Sequence, residues 1–288
     1  MSEIQAVTSA TRPARSWLFV PATRPERFEK AAASGADRVI VDLEDAVAPE
    51  AKVAARRGLA EVALPSKLPV YLRINGPGTE WFDEDLAAAA SLPFAGVVVP
   101  KAESAPHLSA ISSRLPPGRA LIAIIESAAG LEQIHEVARA AGVERLAFGS
   151  VDFQLDVGGR DGEELHLAFA RSRIVIASRV AGLAAPIDGP SLALDDDAAV
   201  IREADHARRF GFAGKLCIHP RQIAAVHRAF APSDEDVAWA RGLLEALAAR
   251  PAEARGAFSY RGTMVDRPVV ERARQILSVV TVQQTAKG

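Results

Sequence analysis

The stretch GVVVPKAESAPHLSAISSRLPPGRALIAIIE, residues 96–126, carries the pattern that decides the fold. It begins with a β-branched run at Gly96–Pro100, continues with helical periodicity at Ser104–Ser113, and ends with a second apolar run at Ala120–Ile125. Short strands that are apolar on both faces and alternate with helices are typical of a parallel sheet covered on both sides. The stretch therefore predicts a strand–helix–strand unit.

This unit recurs over most of the chain. The eight predicted strands are Ser16–Val20, Arg38–Leu43, Val70–Ile74, Gly96–Pro100, Ala120–Ile125, Arg145–Gly149, Ala185–Asp188 and Gly214–His219. The predicted helices are Pro25–Ser34, Pro49–Leu59, Glu84–Ala90, Ser104–Ser113, Leu131–Ala141, Glu164–Ala181, Asp195–Phe210 and Pro220–Phe230. Such repetition favours a closed (β/α)₈ TIM barrel. The alternative is a doubly wound open sheet, but that fold usually has fewer strands, and the Gly-rich first turn of its dinucleotide-binding members is missing after Val20.

The chain continues well beyond the predicted barrel. We expect a flexible N-terminus at residues 1–14, the barrel at residues 15–230 and a C-terminal extension at residues 231–288. The extension contains a predicted helix at Ser233–Ala249, a hairpin turn at Arg261–Gly262 and a last helix at Val269–Val280. A segment of this size needs a surface on which to bury its apolar side chains, either its own barrel or a neighbouring subunit.

Composition argues against several classes of function. The 288 residues are 49% hydrophobic and 24% charged with a formal net charge of −2, so nothing predicts nucleic-acid binding or a charged membrane patch. No apolar run reaches the roughly 20 residues that cross a bilayer, and the first residues lack the pattern of a secretory signal. The single cysteine, Cys217, cannot form an internal disulfide and is predicted to be buried and structural, which favours the cytoplasm.

Charged residues concentrate where the predicted strands end. TIM-barrel enzymes place their chemistry at the carboxyl ends of the strands, here called the barrel mouth. The residues at these predicted ends are Asp42, Glu44, Asp45, Arg73, Asn75, Lys101, Glu126, Asp152, Asp188 and His219. Groups that only covered the surface would be scattered over both ends of the barrel, so their concentration predicts an active site at the mouth.

Two of these carboxylates predict a metal site. Glu126 and Asp152 follow neighbouring strands, so their side chains can reach one ion. Several anions near one mouth are unfavourable unless a cation neutralises them, and Mg²⁺ typically takes one or two protein carboxylates together with water and substrate oxygens. The alternative for each residue is a salt bridge or, for Asp152, a helix N-cap.

Three other residues at the mouth each have two interpretations. Arg73 is predicted to hold a substrate carboxylate, although it can instead neutralise Glu44. Lys101 could form a Schiff base, but acidic neighbours would keep its amine protonated and the metal pair already supplies an electrophile. His219 either contacts a ligand or only shapes the turn before Pro220.

Eight segments of the chain together resemble citrate lyase β-subunit-like proteins of the HpcH/HpaI aldolase superfamily, which include malyl-CoA and citramalyl-CoA lyases. The segments, in this order, are LFVPATRPERFEKA, VIVDLEDAV, LRINGPGTEWFDEDL, GVVVPKAES, IIESAAGL, FGSVDF, GKLCIHPRQI and FSYRGTMVDRPVVERAR. The resemblance runs from about Arg15 to Leu277 and so covers nearly the whole chain.

The resemblance implies roles for individual residues. Glu126 and Asp152 would be the Mg²⁺ ligands, and Arg73 would bind the carboxylate or carbonyl end of the substrate. Asp266, in GTMVDRP, looks like a catalytic acid/base that relatives supply from a neighbouring subunit's tail, which implies a homo-oligomer, a trimer or a hexamer. Glu44, beside Arg73 in the predicted mouth, completes the catalytic candidates. The implied CoA contacts are Phe19, Arg24, Arg27, Lys30, Ile218 and His219.

The resemblance also implies the reaction. It is an Mg²⁺-dependent carbon–carbon lyase that cleaves or forms a short 3-hydroxyacyl-CoA, such as malyl-CoA, citramalyl-CoA or a citrate-derived thioester. The partners of this reaction are a 2-oxo acid and an acyl-CoA. Three alternatives stay open: an Mg²⁺-dependent pyruvate aldolase without CoA, a thioesterase, and a non-catalytic subunit that binds CoA or an acyl carrier.

Overall fold

The computed structural model describes residues 14–159, 164–251 and 256–285, which form two compact units. The larger unit runs from Ala14 to Phe230, and the smaller one contains the described residues after it. Residues 1–13, most of the segment expected to be flexible, lie outside the described residues. Ala14 itself is buried and packs inside the larger unit.

The larger unit is a closed barrel of eight parallel strands in sequential order, so the predicted (β/α)₈ TIM barrel is confirmed. Each strand pairs with the next along the chain, and β8 pairs with β1 to close the ring. The strands are β1 (Ser16–Pro21), β2 (Arg38–Asp42), β3 (Val70–Arg73), β4 (Gly96–Val99), β5 (Ala120–Ile125), β6 (Val143–Phe148), β7 (Ile187–Asp188) and β8 (Gly214–Cys217).

Ten helices and three 3₁₀ turns connect the described strands of the barrel. The helices are α1 (Phe28–Ala32), α2 (Lys52–Gly58), α3 (Phe82–Ser91), α4 (Ala105–Arg114), α5 (Ala128–Glu132), α6 (Ile134–Arg139), α7 (Ser150–Asp156), α8 (Glu164–Val180), α9 (Asp197–Phe210) and α10 (Gln222–Phe230). The 3₁₀ turns are Pro25–Arg27, Pro49–Ala51 and Leu59–Glu61.

Side-chain caps fix where several of these helices begin. Ser104 accepts a hydrogen bond from the backbone N–H of His107, and Asp196 accepts one from Ala199, so α4 and α9 begin immediately after them. Ser127 caps α5 in the same way through Gly130. The single helix predicted at Leu131–Ala141 is wrong, because this cap starts a short helix earlier and the chain leaves helical geometry at Gln133.

Strand side chains alternate between the barrel interior and the helix layer, and both sides are apolar. The interior cluster consists of Ala14, Trp17, Ile40, Tyr71, Val98, Ala120, Ile122, Ile124, Ala147, Ile187 and Leu216. The intervening residues, such as Val39, Val41 and Leu72, belong to the larger cluster beneath the helices. By the same alternation, Asp42, Arg73 and Glu126 face the interior at the mouth.

The smaller unit contains helix α11 (Asp234–Ala248), strands β9 (Phe258–Tyr260) and β10 (Thr263–Val265), and helix α12 (Arg267–Thr285). β9 and β10 form an antiparallel hairpin whose turn, Arg261–Gly262, has positive φ at both residues, as a two-residue hairpin turn requires. Ser233 and Asp236 form a capping box at the start of α11. The unit has its own small core, built from Ala240, Leu243, Phe258, Val265, Val270 and Ala273.

Candidate active site

The carboxyl ends of the barrel strands surround a cavity of about 360 Å³. Phe19, Arg73, Glu126, Asp152 and Ile218, all singled out in the sequence, line this cavity together. The other lining residues are Pro21, Asp42, Asp45, Ala46, Ile124, Gly149, Val151, Pro190, Leu192 and Leu216. Glu44 lies at its edge, on the side of a larger groove of about 760 Å³ that also includes Lys101 and His107.

Arg73 is held rigidly by three carboxylates. Its Nε and Nη2 donate to the two oxygens of Asp42 at 2.7 and 2.6 Å, a bidentate pair. Its Nη1 lies 2.7 Å from Glu44 and 3.2 Å from Asp45. Arg73 therefore does neutralise Glu44, the alternative weighed for it, and only one hydrogen on Nη2 remains for a substrate oxygen.

Phe19 covers the guanidinium of Arg73. The carbon at the centre of the guanidinium lies 4.6 Å from the centre of the phenyl ring. Stacking on an aromatic face is a favourable position for a guanidinium and limits its movement. Burial alone would lower the pKa of Arg73, but the neighbouring carboxylates outweigh it and raise the pKa. The side chain therefore keeps its positive charge.

Glu126 is a buried carboxylate in an unfavourable electrostatic setting. Burial, together with the negative charges of Glu44 and Asp152, raises the pKa of Glu126 to about 8. One oxygen accepts a hydrogen bond of 2.7 Å from the backbone N–H of Lys101. Gly149 makes room for the other, because a Cβ at this position would lie 2.5 Å from Oε2 of Glu126.

Asp152 and Glu44 share this setting. Asp152 is exposed in the first turn of α7, and burial of its carboxylate with the charge of Asp45 raises its pKa. For Glu44, burial raises the pKa to about 7, although Arg73 lowers it. Three carboxylates with raised pKa values at one mouth are the arrangement expected of a functional site.

Lys101 has an unusual backbone conformation for its residue type. Its φ of 47° is in the left-handed region, which only one other non-glycine residue of the described chain, Arg261, adopts. This conformation directs the Lys101 N–H at Glu126. The side chain is exposed, lines the groove beside Glu44, and is not among the residues that line the cavity with Glu126 and Asp152.

The implied CoA contacts lie in two loops. Arg24 and Arg27 are exposed, and each has only a long 3.9 Å ion pair with Glu26; Lys30 is exposed on α1. Ile218 lines the cavity and is 41% exposed. The ring of His219 accepts a hydrogen bond from the backbone N–H of Arg221, which is the turn-shaping role weighed for it.

Asp188 does not belong to the mouth, and its assignment there is wrong. It is fully buried and faces the helix layer, where it pairs with Arg171 at 3.0 Å and Lys215 at 2.9 Å. The reason is the alternation along β7: Ile187 faces the interior, so Asp188 must face outward.

The model of the family described as "HpcH/HpaI aldolase/citrate lyase" matches residues 15–220. The chain belongs to this family. A citrate lyase subunit beta-like protein from Deinococcus radiodurans is 37% identical over 275 residues, which are 92% of this chain and 96% of the relative. An L-malyl-CoA/beta-methylmalyl-CoA lyase from Cereibacter sphaeroides is 34% identical over 92% of this chain and 94% of its own length.

A solved structure of another family member is also similar. Protein CitE from Mycobacterium tuberculosis, in complex with magnesium, acetoacetate and coenzyme A, superposes with a TM-score of 0.84 and 36% identity. The match covers 95% of this chain and all of that one. The resemblance inferred from the sequence segments is therefore confirmed, as is the barrel fold.

Two residues that support the mouth of this family member were not found from the sequence. The Nζ of Lys52 donates to the carbonyls of Leu43 and Glu44 and to the side chain of Asn75, at 2.9, 2.7 and 2.7 Å. It thereby fixes the loop that carries Glu44. In the sequence, Lys52 lies within the predicted helix Pro49–Leu59, and no local signal marks its side chain as buried.

Gln222 fixes the opposite side of the mouth. Its side-chain oxygen accepts hydrogen bonds from the backbone N–H groups of Ile218 and His219, and its nitrogen donates to the carbonyls of Ser191 and Ala193. The buried amide thus joins the loops that follow β7 and β8. Since each partner is a backbone group, residue types around Gln222 give no sign of this role.

Asp266 lies in the smaller unit, between β10 and α12. Its carboxylate accepts a hydrogen bond from the backbone N–H of Val269 at 3.3 Å, an N-cap at the start of α12. The side chain is half-buried. Its catalytic assignment therefore stays a prediction, and the structure gives it a capping role in its own unit.

Proposed function

We propose that the protein is an Mg²⁺-dependent carbon–carbon lyase that cleaves or forms a short 3-hydroxyacyl-CoA, with a 2-oxo acid and an acyl-CoA as its partners. The observation that carries this proposal is the pair Glu126 and Asp152 in one cavity with Arg73. Its family relatives support it, since their names include citrate lyase and malyl-CoA lyase and one was crystallised with magnesium, acetoacetate and coenzyme A.

The residues present fit a divalent cation. Glu126 and Asp152 offer hard oxygen donors. Burial raises the pKa of both carboxyl groups, and the positive charge of Arg73 offsets this effect only in part. Among the described residues, no group of three or more His, Cys, Asp and Glu side chains could hold a metal ion. Two carboxylates together with water and substrate oxygens are typical ligands of Mg²⁺. When bound, the ion would supply a Lewis acid for the substrate hydroxyl oxygen, which becomes the carbonyl oxygen of the 2-oxo acid.

Arg73 and Phe19 would orient the substrate. The bidentate pair with Asp42 and the stacked ring leave the guanidinium in one orientation, with a single Nη2 hydrogen available. A 2-oxo acid carboxylate bound there would place its carbonyl carbon in the cavity. A substrate held in the reactive orientation loses less entropy on reaching the transition state, which lowers the activation barrier.

Glu44 is the side chain best suited to accept the proton of the substrate hydroxyl. Its pKa of about 7 lies near neutral pH, where a general base works best. Removal of that proton converts the hydroxyl into the carbonyl of the 2-oxo acid, while the electrons of the broken carbon–carbon bond move onto the thioester as an enolate. Asp266, supplied by a neighbouring copy, would protonate the enolate carbon and release the acyl-CoA.

The CoA portion would lie against the exposed cations of the first loop. Arg24, Arg27 and Lys30 are free enough to reach phosphate groups, because their ion pairs are long or missing among the described residues. Ile218, exposed at the edge of the cavity, offers apolar surface for the arm that carries the thioester. His219 would contact the same arm from the adjacent position.

One incubation tests the proposal. Purified protein is mixed with Mg²⁺, acetyl-CoA or propionyl-CoA, and glyoxylate or pyruvate, and the CoA products are identified by mass spectrometry. We expect a CoA adduct whose mass is the sum of the two substrates. Turnover that requires an aldehyde and no CoA would indicate an aldolase, release of free CoA a thioesterase, and binding without turnover a non-catalytic subunit; each would overturn the lyase proposal.

We further propose that the protein is a homo-oligomer in the cytoplasm and that its extension packs on a neighbouring copy. Helix α8 supports the association of copies, because four apolar side chains are exposed on one of its faces. They are Leu165 (85% exposed), Phe169 (65%), Ile176 (54%) and Val180 (58%). Exposed apolar patches of this kind mark interaction surfaces. No described helix is long and apolar enough to span a membrane.

A further inference from the structure

The end of the barrel opposite the mouth, where the strands begin, contains an arginine with two buried nitrogens that have no hydrogen-bond partner among the described residues. We call this end the barrel floor. Arg145, on β6, pairs in register with Ile122, whose side chain lies in the barrel interior, so Arg145 faces the interior as well. Its guanidinium carbon lies 5.6 Å from the centre of the Trp17 ring.

The hydrogen-bonding capacity of Arg145 is largely unused. Its Nε and Nη1 are buried and have no hydrogen-bond partner within the described part of the chain. Buried polar atoms in proteins are nearly always hydrogen-bonded, so these nitrogens are donors available to a water molecule or an ion. Burial lowers the pKa of Arg145, which shows that the floor disfavours its charge.

The groups around Arg145 do not supply the missing negative charge. Arg38 pairs in register with Trp17 at the same level, and its charge lowers the pKa of Arg145 further. Tyr71 is a neutral phenol, because burial raises its pKa. Glu144 is the one carboxylate that raises the pKa of Arg145; its side chain is exposed and forms no ion pair with Arg145 among the described residues.

Water can satisfy the free N–H groups but cannot neutralise two guanidinium groups at one floor. An oxyanion does both, since hydrogen bonds between guanidinium and phosphate or carboxylate oxygens are short and charge-assisted. The apolar face of the Trp17 ring holds the Arg145 guanidinium in place and leaves its edges for the anion. Arg38 donates one Nη1 hydrogen to the carbonyl of Asp37 and forms a second hydrogen bond with the side chain of Tyr71. A guanidinium has five N–H donors, so further donors of Arg38 remain for an anion.

We infer that the barrel floor binds a small oxyanion of the phosphate class, with Arg145 donating hydrogen bonds to it and Arg38 supplying the second positive charge. This site lies at the other end of the barrel from the metal pair. It does not depend on the proposed lyase function, and bound anion would stabilise the barrel by neutralising its floor.

Thermal unfolding of the full chain tests the site. In potassium phosphate, compared with potassium chloride at equal ionic strength, we expect the Tm of the wild type to rise by about 3 °C. Arg145→Met, which keeps an apolar side chain over Trp17, should lose most of this rise, and Arg145→Lys should keep part of it. A full rise in Arg145→Met, or no rise in the wild type, would overturn the proposal.

Arg119 offers a matched control. It also has a buried Nη1 without a hydrogen-bond partner among the described residues, but it lines a surface pocket beside Ser112 and Glu144. Arg119→Met should therefore keep the phosphate-dependent rise in Tm. Loss of the rise in Arg119→Met alone would place the anion at that pocket and refute the floor site.

A measurement on the wild type does not depend on the stability of the variants. Crystals soaked in selenate should show an anomalous peak within hydrogen-bond distance of the Arg145 guanidinium, and a floor without a peak would refute the site. Adenosine 5′-phosphate distinguishes the sources of the anion. A rise in Tm with this ester as well as with phosphate indicates a terminal phosphate group, and a rise with phosphate only indicates the free ion.

Discussion

At the scale of single residues, the carboxylate of Glu126 is held where its charge is disfavoured. Its raised pKa of about 8 follows from burial and from two further carboxylates nearby, and only the Lys101 N–H and Arg73 act in the other direction. Burial of a charged carboxylate destabilises the folded protein unless a positive charge compensates, and a bound cation would supply that charge. Glu126 is therefore the residue at which the metal assignment is most easily tested.

Glu126→Gln should weaken Mg²⁺ binding by about 10–100-fold or more, because the amide lacks the negative charge that Mg²⁺ prefers. Calorimetric titration of the protein with Mg²⁺ measures this directly, and carbon–carbon lyase turnover should fall with it. Glu132→Gln, an exposed change on α5, is the control and should leave both unchanged. Unaltered Mg²⁺ affinity in Glu126→Gln would reject the assignment.

Asp188 differs from Glu126, because its pKa is lowered rather than raised, and this makes the stability of the protein depend on pH. Burial raises its pKa, but Lys215 and Arg171 outweigh burial, so its pKa in the folded protein is lower than its ordinary value. A depressed pKa means that the stabilisation is present above the unfolded value of about 3.9 and is lost as the pH falls through the folded pKa.

Asp188→Asn should lower the free energy of unfolding at pH 7 by about 3–5 kcal/mol, because it leaves the buried Lys215 without its full charge partner. The difference from the wild type should shrink as the pH falls below about 4, where Asp188 of the unfolded chain becomes protonated, and should be lost as the pH falls through the lower pKa of Asp188 in the folded protein. Urea unfolding at neutral and acidic pH checks this. Asp205→Asn, at a partly exposed ion pair on α9, should change stability by less than about 1 kcal/mol. A pH-independent difference for Asp188→Asn would contradict the argument.

At the scale of elements, the loops that form the mouth are held in place by hydrogen bonds from buried side chains beneath them. Lys52 holds the loop after β2, and Gln222 joins the loops after β7 and β8. Without Lys52 and Gln222, these backbone groups would lose hydrogen bonds that are buried or partly buried. Helix side chains therefore hold the loops that carry the site residues, over separations from four residues (Gln222 to Ile218) to 31 residues (Gln222 to Ser191).

Gln222→Leu should lower the free energy of unfolding by about 2–4 kcal/mol, because two backbone N–H groups and two carbonyls lose their buried partner. It should also weaken CoA binding if Ile218 and His219 contact CoA as proposed. Denaturant unfolding and calorimetric CoA titration measure the two effects. Gln275→Leu, on an exposed face of α12, is the matched control. Wild-type stability in Gln222→Leu would show that the loops are held by other contacts.

Element boundaries were predictable only where a cap or a turn marks them. The helices at Ser104 and Ser233 begin at their caps, and the Arg261–Gly262 hairpin turn forms where the sequence predicts it. Helix α7 was not predicted, because its seven residues are too few for a helical period to show. The break at Gln133 was also not predicted, since the apolar periodicity continues across it.

At the scale of the whole molecule, the exposed apolar face of α8 is the surface that we propose a neighbouring copy covers. Phe169→Glu places a charge in the middle of that face, where a neighbouring copy would have to desolvate it. We expect the wild type to be an oligomer by light scattering and Phe169→Glu to have a lower mass. Val53→Glu, on α2, is the control and should keep the wild-type mass.

The same variant tests the origin of Asp266. If Asp266 acts in a neighbouring copy, loss of the oligomer should lower lyase turnover together with the mass. A wild type that is monomeric and active would contradict both the α8 interface and the shared site.

The sequence by itself determined the eight alternating units, the barrel, the family and the residues Arg73, Glu126 and Asp152 that line one cavity. Only the tertiary structure decided which way each strand residue faces. The strands are apolar on both sides and so lack the two-residue period that would reveal their phase. Contacts between neighbouring strands therefore decide that Asp188 pairs with Lys215 beneath the helices and that Arg73 is bound by Asp42 in the interior. They also leave two buried nitrogens of Arg145 without a hydrogen-bond partner among the described residues.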